Sequence, residues 1–470
     1  MKNFSTTYIL FFIILNLNLN AQCYTDVKVG ESHIIAKKAD GTLWAWGRGI
    51  WGVLGSGDDS DNYLQNQMLA GTNFNKIAAG KVSNFAIKQN GTLWGSGGND
   101  YGALGINSTD ILSLNLVQIG TGNNWKEIST DSSVTIGLKT DNTIWGWGQN
   151  NVYQMGDGTC CNDRYAPAQI GTGNNWKTIA TSEVSSSFGI KNDGTLWAWG
   201  SNIAGLLGDN LTTVFMTPTL RTTGNDWSSI VCGAGHALAI KNNGTLWSWG
   251  NYSRGATGND GFRCAYYDPY LVSSDAWLTV AAGYDTSFGI KTDGTLWAWG
   301  WNDVGQLGIG NYVNQFSPVQ IGTDNNWAVV SARYQTAAAI KTDGSLWVWG
   351  SNRFGQLGNG TATGDSTGSI VPVYLPAAGC TLANNQFFAS GNKFSIAPNP
   401  SKTVTAISYD YTLAPAIEIY SMLGQRVANY LTDAPKGTWN FETAGLLAGI
   451  YVVVLKDKDQ IIVQQKLIIE

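Results

Sequence analysis

One seven-residue motif recurs seven times along the chain, as GTLWAWG at Gly41, GTLWGSG at Gly91, NTIWGWG at Asn142, and in close variants at Gly194, Gly244, Gly294 and Gly344. Its leading tryptophans stand at 44, 94, 145, 197, 247, 297 and 347, so successive copies are 50 to 52 residues apart. A fixed period of this length means that one small unit is repeated and stacked, because a single unit cannot bury its own apolar face.

Within each period the apolar runs are short and alternating, which predicts strands rather than helices. Trp277–Gly283, Thr286–Lys291 and Thr295–Gly300 show three of them, and a fourth follows at Pro318–Ile321. Asp-Gly or Asn-Gly separates the second and third strands in six repeats, and Asp141-Asn142 does so in repeat three. That dipeptide predicts a tight type I′ hairpin, in which both central residues take positive φ. Period-two geometry puts Trp44 and Trp46 on one face of the third strand, and an earlier aromatic recurs at Tyr24, Phe74, Trp125, Trp176, Trp227, Trp277 and Trp327. These stripes read as glue between adjacent sheets, each indole burying about 150–250 Å². Four strands in each of seven units predict an all-β fold, a closed seven-bladed β-propeller over residues 23–378.

The repeats resemble the regulator of chromosome condensation repeat family. The carrying residues are the Ile-Lys-x-Asp-Gly-x-Leu-Trp-x-Trp-Gly string and the turn that follows it, seen at Gly300–Gly308 and Gly350–Gly358. The resemblance covers about three quarters of the chain and implies a seven-bladed propeller. It departs at Gly95-Ser96 and at Thr257. The guanine-nucleotide exchange known in that family does not carry over, since no residue here matches an exchange site apart from the blade motif. Secreted propellers of the family that bind proteins through one face imply an interaction module instead.

The two ends read differently. Lys2, the apolar run Tyr8–Leu15 and the exit Asn20–Gln22 predict a signal peptide over residues 1–22, too short to span a bilayer. No other stretch is apolar enough to cross a membrane. After a linker at 379–394, residues 395–470 show alternating strands at Val404–Tyr409, Ile417–Tyr420, Ile450–Leu455 and Ile461–Ile469, predicting a small Ig-like β-sandwich. This segment resembles the C-terminal type A sorting domain of type IX secretion through Pro398, Asn399, Pro400, Gly424, Gly449, Tyr451 and Lys466. The resemblance implies passage through the periplasm, the type IX machinery as a partner, and a secreted or outer-surface location.

Export permits disulfides, and six cysteines allow fifteen complete pairings. Cys23 and Cys380 flank the repeats, so ring closure predicts that they bond at the seam. Cys160, Cys161, Cys232 and Cys264 have no assignment, and the absence of CxxC spacing argues against structural zinc.

Little in the chain points to chemistry. The net charge is −5 with no basic block, which argues against nucleic acid as a partner. His33 and His236 share one phase of the repeat and read as hydrogen-bonding strand positions. Lysines 38, 88, 139, 191, 241, 291 and 341 also share a phase, and the aspartates two residues on predict neutralised turn charges. Asp58–Asn62 carries oxygen ligands without a calcium register. No cofactor and no metal are expected. The insertions of repeats three and five carry Arg164, Tyr165, Arg254, Arg263, Tyr266 and Tyr267, residue types favoured as interface anchors. The expected function is a monomeric, non-catalytic propeller that binds a protein or glycan. The rival is a polysaccharide-active enzyme, which clustered carboxylates at the propeller axis would favour.

Overall fold

The computed structural model describes residues 23–376 and 393–469, apart from 69–70, 72, 132, 203–204, 209–213, 223, 252, 260–265, 366, 398, 400, 411–414, 422–425, 447–448 and 458–459. The chain divides into two compact units, Met1–Thr381 and Leu382–Glu470. The expected leader, residues 1–22, lies outside the described residues.

The first unit contains seven four-stranded antiparallel sheets, each paired in simple sequence order. Blade 1 runs through Tyr24–Val29, His33–Lys38, Leu43–Gly47 and Asn62–Gln67, and blade 7 through Trp327–Arg333, Thr336–Lys341, Leu346–Ser351 and Gly368–Leu375. Each innermost strand touches the innermost strand of the next blade, and that of blade 7 touches that of blade 1, so the ring closes. The seam uses the bond found at every other junction. Tyr24 N–H donates to Gly344 O (3.1 Å), as Phe74 does to Gly41 O (3.1 Å) and Trp327 to Gly294 O (3.0 Å).

Among the described residues there is no single central core. Each apolar cluster joins two neighbouring blades, as where Phe188 and Leu196 of blade 4 pack with Trp227 and Trp249 of blade 5. The second tryptophan of each third strand is the wedge: Trp46, Trp147, Trp199, Trp249, Trp299 and Trp349 are all fully buried. Four send the indole N–H into a backbone carbonyl of the preceding blade. Trp249 bonds Leu206 O (2.8 Å), and Trp46 closes the ring onto Gln356 O (2.8 Å). Blade 2 has Ser96 at this position, and its hydroxyl bonds Val53 O in the same register.

The hairpins differ from the expected type I′. The positive φ falls on Gly41 (77°) and its equivalents, and not on the preceding aspartate or asparagine. Gly41 N–H donates to Lys38 O (3.0 Å) and Lys38 N–H to Thr42 O (3.0 Å), so the loop is a turn followed by a left-handed glycine bulge. That one extra residue frees the aspartate carboxylate to point back along the chain. Asp40 Oδ1 accepts from Thr42 N–H (2.9 Å) and Thr42 Oγ1 (2.7 Å), and Thr42 Oγ1 accepts from Trp44 Nε1 (3.0 Å). The same relay recurs from Asp193 through Thr195 to Trp197 and from Asp293 through Thr295 to Trp297.

The relay fixes one indole, and the repeat lysine lies on it. Lys191 Nζ is 3.5 Å from the Trp197 ring centroid and 5.1 Å from that of Trp176, and all seven lysines sit in such an aromatic clamp. The aspartate two residues on therefore caps the turn instead of serving as the lysine's main partner, which corrects the expected charge pairing. Burial lowers the pKa of Lys38, Lys139 and Lys191, with the nearby aspartate opposing.

The second unit is a two-sheet sandwich. Lys393–Ala397, Val404–Asp410 and Lys436–Glu442 form one sheet, and Arg426–Leu431, Ala416–Ser421, Gly449–Asp457 and Gln460–Ile469 the other. Phe394 and Ile407 pack against Ile417, Val453 and Leu467 across the interior. The fourth strand lies beside the third, where the constant-type immunoglobulin order would put it beside the fifth. Of the sorting residues, Tyr451 is buried and pairs with Leu467, Gly449 pairs with Ile469, and Lys466 with Val452. Asn399 is exposed, and Pro398, Pro400 and Gly424 lie outside the described residues.

Replacing Lys191 by Ala should destabilise the propeller by about 0.5–2 kcal/mol through loss of one cation–π clamp, with Lys191→Arg recovering part of it. Equilibrium urea denaturation of the three proteins checks the order; an alanine variant as stable as the parent would contradict the clamp.

Candidate functional site

In an antiparallel meander the hairpins between second and third strands open on one face of the ring. The loops joining first to second and third to fourth strands open on the other. The hairpin face is occupied by the lysine clamps. The loop face carries the side chains that break the repeat.

Its inner circle surrounds the axis. A glycine directly follows the innermost strand in four blades, at Gly30, Gly80, Gly233 and Gly283. A Cβ at Gly30 would come within 2.0 Å of the His33 ring, so the glycine makes room for the imidazole. Blade 3 has Asp131 in this phase and blade 7 has Arg333. Arg333 reaches across the axis to the opposite side of the ring, where its Nη2 bonds Asp131 Oδ1 and lies 3.0 Å from Glu183 Oε1 of blade 4. All three side chains are at most 13 % exposed. Burial pushes the Asp131 carboxyl up to about 7 against the pull of Arg333, and burial also raises Glu183. Two desolvated carboxylates share one guanidinium, so taking up a single proton near neutrality leaves the cluster uncharged overall. Tyr334, at φ 48°, packs its ring 5.1 Å from that of Tyr284 at the same mouth.

The histidines belong to the junctions. His33 Nε2 meets Asn84 Oδ1 (2.9 Å), whose amide donates to Val53 O, and His236 Nε2 meets Ser287 Oγ (2.9 Å), which donates to Ala256 O. Burial holds both imidazoles down at about 4. Each is thus a neutral bridge between blades, in the strand position the sequence predicts.

The outer circle is built by the loops after the third strands. Arg254 of blade 5 lies 3.9 Å from the Trp301 ring of blade 6 and 3.9 Å from Asp285 Oδ2. The same pair of positions recurs with the roles exchanged between blades 7 and 1, where Arg48 lies 4.4 Å from the Phe354 ring.

The sequence-selected loop residues are therefore dispersed. Arg254 stands on this face. Arg164 is committed to Asp157, and Tyr165 covers Gly102 of the preceding blade at the rim, as Tyr267 covers Gly205. Tyr266 pairs its backbone with Gly250, and Arg263 lies outside the described residues. Sequence reasoning missed Asp131 and Arg333. The available signal was phase: both occupy the position that holds glycine in four other blades, inside loops of ordinary length.

Among the described residues no group of three or more His, Cys, Asp or Glu is arranged to hold a metal ion. Asp58 and Asp61 accept bonds from Ser60 N–H and Gly49 N–H within their own loop. Cys160 and Cys161 are bonded to each other, and Cys232 is a free thiol whose pKa burial raises. Cys23 is disulfide-bonded; its expected partner Cys380 lies outside the described residues, and that pairing stands as a proposal. No helix among the described residues is long and apolar enough to cross a membrane.

The regulator of chromosome condensation (RCC1) repeat model matches residues 193–240, 293–339 and 343–397, and a second model of the same description matches 227–256 and 277–306. A secretion system C-terminal sorting domain matches 395–470. The chain is similar to the human E3 ubiquitin-protein ligase HERC2 (26% identity over 224 residues, 46% of this chain and 5% of that protein). It is also similar to the ultraviolet-B receptor UVR8 of Arabidopsis thaliana (27% over 186 residues, 39% and 42%). It thus spans less than half the length of these curated relatives. In fold it is similar to Prp20p of Saccharomyces cerevisiae, described with its binding to Gsp1p and histones (TM-score 0.64, 16% identity, 80% of this chain and 90% of that one). Human WBSCR16 is also similar (TM-score 0.60, 17% identity, 66% and 85%).

The axial cluster makes a signed prediction. Unfolded, Asp131 titrates near 3.8; folded, near 7, so the folded state binds the extra proton between those values. The stability it contributes is full below about pH 4 and is lost as pH rises through about 7. Asp131→Asn should therefore gain on the parent protein at pH 8 relative to pH 5. Arg333→Leu should cost about 3–5 kcal/mol, more at pH 8 than at pH 5, by leaving two buried carboxylates without their cation. Denaturation at both pH values reads these differences, in which the histidine titrations cancel.

Proposed function

From a chain built of regulator of chromosome condensation repeats and closed by a secretion system sorting domain, we propose that this protein is an exported, non-catalytic propeller. It binds a macromolecule, a protein above all, through its loop face at the cell surface or beyond. The observation that carries the reading is the paired arrangement of arginine on aromatic ring at two blade junctions, Arg254 on Trp301 and Arg48 on Phe354. Arginine and large aromatics are the residue types that anchor interfaces, because each buries much surface at low entropic cost and offers directed hydrogen bonds. Repetition does not require them, since the equivalent positions of blade 3 and the next blade are Val152 and Ser201.

The sorting domain supports a location outside the cell, with the type IX machinery as the partner that takes it there. Prp20p, a protein of similar fold, is described with its binding to Gsp1p and histones, which is in keeping with a binding role. Residues of blade 5 contribute Arg254, while Tyr165 and Tyr267 extend the available surface at the rim.

A second reading, a polysaccharide-active enzyme, draws on Asp131 and Glu183 near the axis. Both are engaged by the same guanidinium and nearly closed to solvent, which favours a structural ion cluster over an acid and a base facing a substrate.

The test uses the whole exported chain, tagged and returned to its natural surroundings for cross-linking and capture. A defined macromolecule captured by the parent protein and lost with Arg254→Glu is the expected result. Polysaccharide cleavage abolished by Asp131→Asn would overturn it in favour of the enzyme. Deleting residues 395–470 should leave the propeller inside the cell envelope, measured by fractionation.

A further inference from the structure

Two depressions on the loop face share a wall. The larger, about 370 Å³, lies between blades 7 and 1 and includes Arg48, Arg353, Phe354 and Gln335. The smaller, about 140 Å³, lies between blades 1 and 2 and includes Ile50, Trp51, Val53 and Val82, with Lys81 at its side. Glu31, Ser32 and Arg48 line both, so the two are successive steps along one track over blades 7, 1 and 2.

Their chemistry differs. In the larger, the Arg48 guanidinium lies 4.4 Å from the Phe354 ring centroid and that of Arg353 5.2 Å from the same centroid. None of the ion pairs among the described residues uses either arginine; those of this face join Arg254 to Asp285 and Arg333 to Asp131 and Glu183. A ring attracts a cation but cannot accept the in-plane N–H groups of a guanidinium, and a carboxylate can take two of them at once. Arg48, Arg353 and Lys81 line the track against a single carboxylate, Glu31, on a chain whose net charge is −5. The smaller depression sets the apolar groups of Ile50, Trp51, Val53 and Val82 beside the charged side chains of Arg48 and Lys81, and it is well below the roughly 300 Å³ at which small-molecule sites begin, so it suits one side chain. Trp51 is held there at φ 67°, a backbone region unfavourable for a bulky residue.

We infer that this track binds an extended acidic segment of a partner protein. A carboxylate of Asp or Glu sits between Arg48 and Arg353, and a nearby apolar side chain of the same segment fills the pocket of Ile50, Trp51, Val53 and Val82. The inference rests on the macromolecule-binding reading and adds the partner's chemistry. An acidic polysaccharide would supply the carboxylate, but it presents the same group at each sugar and leaves the apolar pocket without an occupant.

The probe is an array of 12-residue peptides varied in charge and apolar content, with polygalacturonate spotted beside them, exposed to the full chain. Retention of peptides carrying Asp or Glu close to Leu, Ile or Phe is expected. Arg48→Glu and Arg353→Glu should each weaken it at least about 10-fold with unchanged circular dichroism. Ile50→Ser should relax the apolar preference and keep the acidic one. Retention that ignores both arginine variants, or retention of polygalacturonate without acidic peptides, overturns the inference. If the doubly reversed protein still captures its natural partner at the parent level, the inference falls while the binding function stands; a parent protein that captures nothing brings down the latter.

Discussion

Six of the seven blades are held to the preceding one by an indole buried between two sheets, and in blade 2 Ser96 stands in its place. The blades have apolar side chains on both faces, so none is stable alone, and the clusters that bury them always span a pair of neighbours. At about 25 cal/mol per Å², burying ~150–250 Å² of indole is worth about 4–6 kcal/mol as an upper estimate. An unmade hydrogen bond costs about 1–3 kcal/mol. That balance explains why the wedge survives where its N–H finds no acceptor, as at Trp147 and Trp299. Where the acceptor is available it is a carbonyl of the preceding blade, and the bond from Trp46 to Gln356 O makes the last junction equivalent to the others.

The same wedge separates the two faces. On the hairpin face the motif satisfies itself: aspartate caps threonine, threonine orients tryptophan, and lysine lies on the indole. Such a face is charged in composition yet has little charge left to offer. On the loop face the motif fixes only the backbone path, so side chains there are free to differ. Arg333, Asp131 and Glu183 use that freedom to join blades on opposite sides of the ring, and Arg48, Arg353 and Trp51 use it to shape a track.

Most of the fold was legible because it is periodic. Strand number, blade boundaries, the burial of Trp46 and its equivalents and the structural role of His33 and His236 all follow from phase. The hairpin type was misread because Asp-Gly fits both a two-residue turn and a turn with a glycine bulge, and only the register of Lys38 against Thr42 separates them. The lysine clamps escaped for a related reason. Sequence distance pairs Lys191 with Asp193, whereas the fold brings it between Trp176 and Trp197, residues 21 apart.

The sequence by itself determined a ring of seven sheets, the residues that glue them, and a C-terminal sorting domain, since each depends on local pattern or on a motif. It could not determine which non-repeating side chains meet. Asp131 and Arg333 are 202 residues apart, and Arg48 and Phe354 stand in the first and last repeats. Their contact depends on ring closure, which turns the two ends of the chain into neighbours and sets blades 3 and 7 across one axis. Only the tertiary structure decides that, because such a pair leaves no periodic trace in the chain.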